Sequence, residues 1–502
     1  MPKKPGSRWS RMTPLLAFSC FCLVVGDLLF GYDVGNFGGI LGNPGFIRQF
    51  GSKNANGVYK LSSLHTSLLA SLAFIGKFLG CLAAAPLIER FGHRVVFVQL
   101  SVVSIIGVII EITSAGTGPE TGRLAQLIVG RIVVYAAIGL VEICVSTYQS
   151  EIVHPGIRGF VVTTLQMFLN CGGLLASGLN RAFRFDTTST GWRTVTGVQL
   201  IFPVLIVACV PFIPDSPRWL LSRDRNDDAI TSLRRLRPAQ EVQSGQCEEE
   251  LASIKAGLTS NVHKNSWMST LRGTNLRRTM LVVMFYTYGQ ITGQAFVSTY
   301  AVIFYQANGY AAHAFTYPII TSVFSILSCI PCMHFVDTAG RRVVLMTSYF
   351  LQALFLFLVA GMGSLPNKNG AEKNAVVAWV MLFGISYSLG GAGVPYLLGA
   401  ELPNHSVREK TSTIGTSINV VWAFVVNFSM PYLLAAISVK VGWVFGSISV
   451  SALVLTFLFL PETKGMTLEE IDDVFARPFN PFRSSRVRED DESEIEQIET
   501  DL

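Results

Sequence analysis

The residues with the most capacity for chemistry in this chain are ionisable side chains set inside long apolar runs. Asp27, Asp33, Lys77, Glu111, Arg131 and Glu142 all lie in such runs in the first half. Between Leu281 and Ala400 the charges Asp337, Arg341, Arg342, Lys368, Glu372 and Lys373 fall between runs instead. An ionisable group inside a bilayer costs roughly 2.5–3.5 kcal/mol even on translocon scales, so its presence signals a function by default. Asp33 sits in the first run and Arg131 opens the fourth. A carboxylate facing an arginine stays ionised, and one that loses the arginine in a low-dielectric cleft takes up a proton. Asp33 and Arg131 are therefore the expected proton-coupling pair. Asp27 lies six residues earlier, about 240° around a helix, and points elsewhere. Asp27, Lys77 and Glu142 are expected to pair structurally between helices. Glu111 is expected near the outer end of its run, its carboxylate snorkelling to the interface.

Such residues need membrane-spanning elements to hold them. Of 502 residues, 50% are hydrophobic and 14% charged, and the mean hydropathy is +0.45; soluble chains carry about a quarter charged residues. This excludes a soluble enzyme, a nucleic-acid binder and a disulfide-built secreted domain, since all the cysteines but Cys247 lie in apolar runs. Windows long enough to span a bilayer fall near 14–41, 62–87, 95–115, 124–149, 160–180, 194–213, 279–306, 315–336, 343–364, 375–400, 411–438 and 441–460. The expectation is an all-α membrane protein of twelve transmembrane helices in two six-helix bundles. Lys and Arg number roughly 27 on the side of the termini against roughly 10 on the other, which makes both ends cytoplasmic. The basic leader (Lys3, Lys4, Arg8, Arg11) precedes a run too long for a signal peptide and lacking a small-residue cleavage site, so the first helix is expected to be retained. The resulting organisation is a cytoplasmic N-terminus over 1–13, a bundle over 14–214, a cytoplasmic loop with short amphipathic helices over 215–278, a second bundle over 279–460 and a cytoplasmic tail over 461–502 with a disordered acidic end.

Three charged motifs recur between the halves. Glu89-Arg90-Phe91-Gly92-His93-Arg94 returns as Asp337-Thr338-Ala339-Gly340-Arg341-Arg342, Glu151 with Arg158 returns as Glu401 with Arg408, and Pro214-Asp215-Ser216 returns as Pro461-Glu462-Thr463, at offsets of 248, 250 and 247 residues. Duplication of a six-helix bundle is the simplest cause. Parallel repeats of this kind belong to transporters, whose solute site lies at the repeat interface. All three motif pairs fall in cytoplasmic loops. Glu89, Arg90, Arg94, Glu151, Arg158, Asp337, Arg341, Arg342, Glu401 and Arg408 are accordingly expected to form an ion-pair lattice that makes and breaks as a cytoplasmic gate.

Over essentially its full length the chain resembles the sugar porter family of the major facilitator superfamily, and its fungal branch most. The resemblance rests on Phe30-Gly31-Tyr32-Asp33, Arg90-Phe91-Gly92-x-Arg94, Gly130-Arg131, Tyr148-x-x-Glu151 with Arg158-Gly159, Pro214-Asp215-Ser216-Pro217-Arg218-Trp219, Asp337-x-x-Gly340-Arg341-Arg342, Pro461-Glu462-Thr463-Lys464-Gly465 and the Gly293-Gln294 pair. It implies secondary transport of a sugar or polyol by alternating access. Proton-coupled members carry aspartate and arginine where Asp33 and Arg131 stand, and passive glucose carriers have asparagine at the first position.

Sugars are uncharged rings covered in hydroxyls, so their sites need amides that donate and accept and aromatics that cover ring faces. Gln166, Gln290, Gln294, Tyr396, Asn419 and Trp422 are the candidates within spans, and the resemblance supports Gln166, Gln290 and Asn419 most. Departures from the family pattern are Gly289, Ala295, Tyr396 and Ala423, where the family commonly has glutamine, asparagine, tryptophan and asparagine. Each lost hydrogen bond is worth about 0.5–1.5 kcal/mol, which argues for a roomier, less polar cavity than a standard monohexose site.

With no Walker A loop, ATP does not drive transport through this chain. The histidines are scattered, so no metal site, cofactor or enzymatic activity is expected. The expected function is import of a sugar or sugar-like solute by proton symport at the plasma membrane, with solute, protons and the lipid bilayer as partners and no nucleic acid. A passive uniporter, an exporter of a specialised metabolite and a non-transporting nutrient sensor are the alternatives.

Overall fold

The computed structural model describes residues 12–53, 57–116, 120–153, 155–260, 267–366, 369–404 and 407–464, together with Met466, Ile471, Val474 and Phe475. The expected disordered end of the tail lies outside them. Twelve spans follow one another: α1 (Pro14–Ile40), α2 (Ser63–Ser71 continued by Ala73–Phe91), α3 (His93–Thr113), α4 (Glu120–Ile152), α5 (Pro155–Ala182), α6 (Ser189–Val198 continued by Ile201–Cys209), α7 (Gly273–Ile291, with Gln294–Ser298 and Ala301–Ala307 after it), α8 (Tyr317–Thr338), α9 (Arg341–Gly363), α10 (Gly370–Ser386 continued by Val394–Glu401), α11 (Arg408–Ile437) and α12 (Val441–Phe459). Nine stretches among the described residues are long and apolar enough to cross a bilayer, and the last of them, Lys410–Phe459, contains both α11 and α12. The remaining two spans are α5, which carries Gln166, Asn170 and Asn180, and α7, which is interrupted at Thr292 and Gly293, the latter at φ +99°.

Local chemistry sets the helix ends. Thr13 caps α1 by accepting from the Leu16 N–H, with Pro14 in the first turn. Asn369 and Glu372 form a reciprocal capping box at the start of α10. Between α6 and α7 the chain forms short helices at Pro217–Ser222, Asn226–Leu236, Ala239–Gln243 and Gln246–Ser260, as the charge pattern of the central loop predicts. Arg237 pairs there with Glu250 at 2.6 Å.

Contacts group into two compact units. The first comprises Met1–Lys264, Ala295–Ile326 and Val420–Ser438, and the second Asn265–Gln294, Leu327–Asn419 and Val439–Leu502. This differs from a division at the central loop, and the reason is local. Gln306 donates to the Gly42 carbonyl at 3.0 Å, and Ser67 donates to the Phe428 carbonyl at 2.7 Å. Gly38 packs so closely on Ser298 and Thr299 that a methyl group there would meet their carbonyls. The second parts of α7 and α11 thereby belong with α1 and α2.

Within the first unit, backbones approach closely where side chains are absent. A Cβ at Gly31 would collide with the Leu169 carbonyl of α5, and one at Gly76 or Gly80 with the carbonyls of Ile132 or Ala136 in α4. Without a hydrophobic driving force between helices in lipid, such small-residue contacts hold spans together. Outward faces stay apolar, as at Leu79, Val102, Ile106 and Ile109, which are about half exposed.

Candidate functional site

Close packing of α1, α2 and α4 through glycine places Asp33 and Arg131 in the interior of the first unit. Both are essentially fully buried, with Arg131 Nη2 3.6 Å from Asp33 Oδ2. That separation is an ion pair without a hydrogen bond. The guanidinium is held independently of the acid. Arg131 Nε donates to the Leu69 carbonyl at 3.0 Å, and the guanidinium carbon lies 3.5 Å from the centre of the Phe37 ring, a favourable cation–π contact. The other carboxylate oxygen, Asp33 Oδ1, accepts from Gln199 Nε2 of α6 at 3.2 Å. An anchored arginine and an acid that touches it only electrostatically are what a separable ion pair requires.

Asp27 lies apart from this pair, as its helical phase predicts. It neighbours a second buried group, in which Lys77 Nζ is 2.9 Å from Glu142 Oε2 and 4.6 Å from the Phe30 ring centre. Glu111 departs from expectation. Its carboxylate does not snorkel but is 3% exposed. Its stem packs on Gly130, where an added Cβ would lie 2.7 Å from Glu111 Cγ. Glu111, Arg131, Asn36, Phe37 and Trp192 line one small pocket.

The amide candidates divide between the units. In the second, Gln290 Nε2 donates to Asn419 Oδ1 at 3.2 Å, and Asn419 Nδ2 donates to the Tyr286 carbonyl at 2.9 Å. Tyr396 meets Tyr286 edge to face with ring centres 5.1 Å apart. A Cβ at Gly289 would touch Asn419 Nδ2 at 3.9 Å, and the Gly289 carbonyl accepts from the Tyr387 hydroxyl at 3.0 Å. Gln294 is half-buried in the same unit, at the start of Gln294–Ser298. Gln166, half-buried on α5, and Trp422, about one-third exposed on α11, belong to the first unit. The unit boundary in α11 falls between Asn419 and Trp422.

Sequence reasoning missed two polar groups. Gln352 of α9 is buried and donates to Ser348 at 2.9 Å, beside a π-helical turn over Tyr387–Gly391, a feature frequent at functional sites. Gln199 was the other. Both are amides in spans, the signal used for the remaining candidates.

At the helix ends carrying the repeated motifs, Arg94 Nη1 lies 3.7 Å from Asp215, and Glu151 accepts from Ser216 Oγ at 2.5 Å. Arg341 Nη2 meets Glu401 at 2.9 Å. Glu89 contributes its carbonyl, which accepts from Trp219 Nε1 at 3.1 Å, and Arg90 packs on the Phe91 ring. Arg342 Nη2 donates to the Phe457 carbonyl at 2.6 Å. Arg408 opens α11. The side chains of Arg158 and Asp337 lie outside the described residues.

The family described as sugar (and other) transporter matches residues 19–475. This chain belongs to the sugar transporter family. It is 27% identical over 481 residues to the low-affinity glucose transporter HXT3 of Saccharomyces cerevisiae, covering 94% of this chain and 84% of the relative. It is also 27% identical to the high-affinity glucose transporter ght2 of Schizosaccharomyces pombe, covering 92% and 87%, and to the major facilitator-type transporter ecdD of Aspergillus rugulosus, covering 94% and 89%. Among solved structures, the proton:xylose symporter XylE superposes with a TM-score of 0.74 at 21% identity, over 92% of this chain and 99% of XylE. The fold is therefore that of the major facilitator superfamily. Family members are transporters rather than enzymes, and the chain is a multi-pass membrane protein.

Proposed function

We propose that this protein imports a sugar or sugar-like solute across the plasma membrane together with protons, by alternating access. The observation that carries the reading is the buried Asp33–Arg131 pair, in which the arginine is fixed by Leu69 and Phe37 and the acid is free to separate from it. A proton on Asp33 cancels the attraction, so protonation and the conformation of the first unit are linked. A membrane potential of 100 mV supplies about 2.3 kcal/mol per charge moved, roughly a fifty-fold accumulation. The glucose-transporter relatives and the symporter among the structural neighbours support the same reading. Gln166 on the first unit and Gln290, Gln294, Tyr396 and Asn419 on the second are the proposed solute contacts, with Trp422 as a further aromatic surface. The Arg94, Glu151, Arg341 and Glu401 contacts are proposed parts of a cytoplasmic gate.

The test is uptake by the purified chain in liposomes under an imposed pH gradient, with a radiolabelled panel of hexoses, pentoses, polyols and sugar acids. Accumulation of at least one against its gradient is expected, and Asp33→Asn should abolish accumulation while sparing exchange. Accumulation by Asp33→Asn equal to the unaltered chain overturns the coupling, and failure of every member of the panel overturns the solute class.

A further inference from the structure

Around Arg131 the count of charges and donors does not balance. Asp33, Glu111 and Arg131 are all buried, giving two carboxylates for one guanidinium. Four oxygens here, Asp33 Oδ2, Glu111 Oε1, Asn36 Oδ1 and Gln199 Oε1, are fully buried and meet no hydrogen-bond donor among the described residues. Each belongs to a residue no more than 3% exposed. All four are acceptors, and the Tyr135 hydroxyl beside Asp33 is a single donor against them, so the cluster is short of protons. Buried acceptors left unmatched are costly, and two carboxylates beside one cation in a low-dielectric site do not both ionise.

The charged and titratable groups acting on Glu111 are Arg131 of α4 and Asp33 of α1, and Tyr135 of α4 faces the same two. From α6, packed against α3, the groups near this cluster are the neutral Gln199 and Thr196. Arg131 already has its fixed contacts to Leu69 and Phe37 and its ion pair with Asp33. That leaves Glu111 as the surplus acid. Its position is built: Gly130, next to Arg131, has no side chain where the Glu111 stem passes. Asn36 and Arg131 line the same small pocket as Glu111.

We propose that Glu111 is a second proton-binding carboxyl, which holds a proton while Asp33 is ionised against Arg131 and serves as the station from which Asp33 is protonated. The transfer balances simply: the Glu111 O–H bond breaks, the Asp33 O–H bond forms, and Glu111 becomes the carboxylate paired with Arg131. During this transfer the site keeps one proton and one ion pair, and the arginine exchanges partners. This deepens the coupling proposed above and rests on it for its role in transport, but the proton on Glu111 stands on its own.

The experiment is pH-difference infrared spectroscopy of the purified full chain in lipid, which reads the carbonyl stretch of protonated carboxylic acids and needs no solute. The unaltered chain should show a buried-acid band at neutral pH. Glu111→Gln should remove its component of that band, and Asp33→Asn should remove the same component because Glu111 then ionises against Arg131, while any component from the buried Asp27 stays in both. Persistence of the full band in Glu111→Gln overturns the proposal. Should that variant fail to fold, Glu111→Asp keeps the carboxyl in a shorter side chain and must displace the band, and an unmoved band is equally fatal. The two readings separate: loss of proton-driven uptake in Asp33→Asn is required for the coupling, whereas the displaced band of Glu111→Asp reports which acid holds the proton.

Discussion

In the first half, Ser216 donates to Glu151, His93 Nε2 lies 3.8 Å from Glu151, and Arg94 lies 3.7 Å from Asp215. At the repeat positions of the second half, Thr463 donates to Glu401, Arg341 pairs with Glu401 at 2.9 Å, and Glu462 accepts from the backbone N–H groups of Arg341 and Arg342. Gly92 and Gly340 both sit at positive φ, +80° and +97°, at the same corner of the motif. Serine answers threonine and acid answers acid, so the duplication read from the sequence is also a duplication of contacts. One residue of the motif differs in kind: the imidazole of His93 stands near Glu151 where the second half has the permanent guanidinium of Arg341 against Glu401.

Away from these ends the halves part company. The interior of the first holds two buried charge clusters, around Arg131 and around Lys77. Among the described residues the interior of the second, away from its helix ends, carries neutral polar groups: Gln290 with Asn419, Gln352 with Ser348, and the Tyr387 hydroxyl on backbone. On the proposed function, the duplicated scaffold divides its work. Charges in low dielectric respond to protons, while amides exchange hydrogen bonds with a hydroxylated solute at little electrostatic cost.

The strongest test of this division is Arg131→Met. Removing one member of a buried pair leaves an uncompensated charge and costs about 3–5 kcal/mol, so the melting temperature in detergent should fall sharply. An unchanged melting temperature would show that the cluster is not ionised and would erase the contrast between the interiors. Next in size is Glu462→Ala. Besides Arg341 and Arg342, Glu462 accepts from the N–H groups of Thr463 and Lys464 at 3.0 Å each. Its charge also lies at the N-terminus of α9, where the helix dipole favours an anion. Loss of these charge-assisted bonds should destabilise by about 1.5–3 kcal/mol in a thermal or denaturant melt.

Much of this was legible in the sequence because bilayers impose simple rules. Spanning length gives the helices, and Asp33 and Arg131 stand out because ionisable residues are costly where they sit. Glu111 was misjudged for a physical reason: distance from the end of an apolar run says how deep a residue lies but not which way it faces. Its burial depends on Gly130 of another helix, a tertiary fact. The allocation of the later parts of α7 and α11 to the first unit was likewise invisible, because it rests on backbone contacts at Gly38 and Gly42. Glu89 was expected to act through its carboxylate, yet the contact it makes with Trp219 is through its carbonyl, which no side-chain pattern reports.

The neutral interior predicts a smaller, differently shaped effect. Asn419→Ala removes one donor and one acceptor from the second unit, and should weaken solute binding by about 0.5–1.5 kcal/mol, roughly 2–13-fold in Kd. Its pH profile of transport should match that of the unaltered chain. A shifted profile would mean that proton coupling is not confined to the first half.

The smallest effect has the sign opposite to that of Glu462. Asp215, half-buried outside the spans, has its carboxyl pushed above the usual range, because desolvation outweighs the Arg94 guanidinium 3.7 Å away. An acid so raised favours folding below its unfolded value and loses that contribution as pH climbs through its folded value. At neutral pH the folded chain therefore bears the cost of an ionised Asp215, and Asp215→Asn removes it. Melting temperature should rise slightly at neutral pH, and the gain should vanish at acid pH where both states are protonated. Equivalent acids of the repeat would then answer charge removal in opposite directions, Glu462 because four backbone donors close on it and Asp215 because burial exceeds its pairing. If Asp215→Asn instead destabilises at neutral pH, Arg94 outweighs the burial, and the two copies of the lattice are held by the same electrostatics.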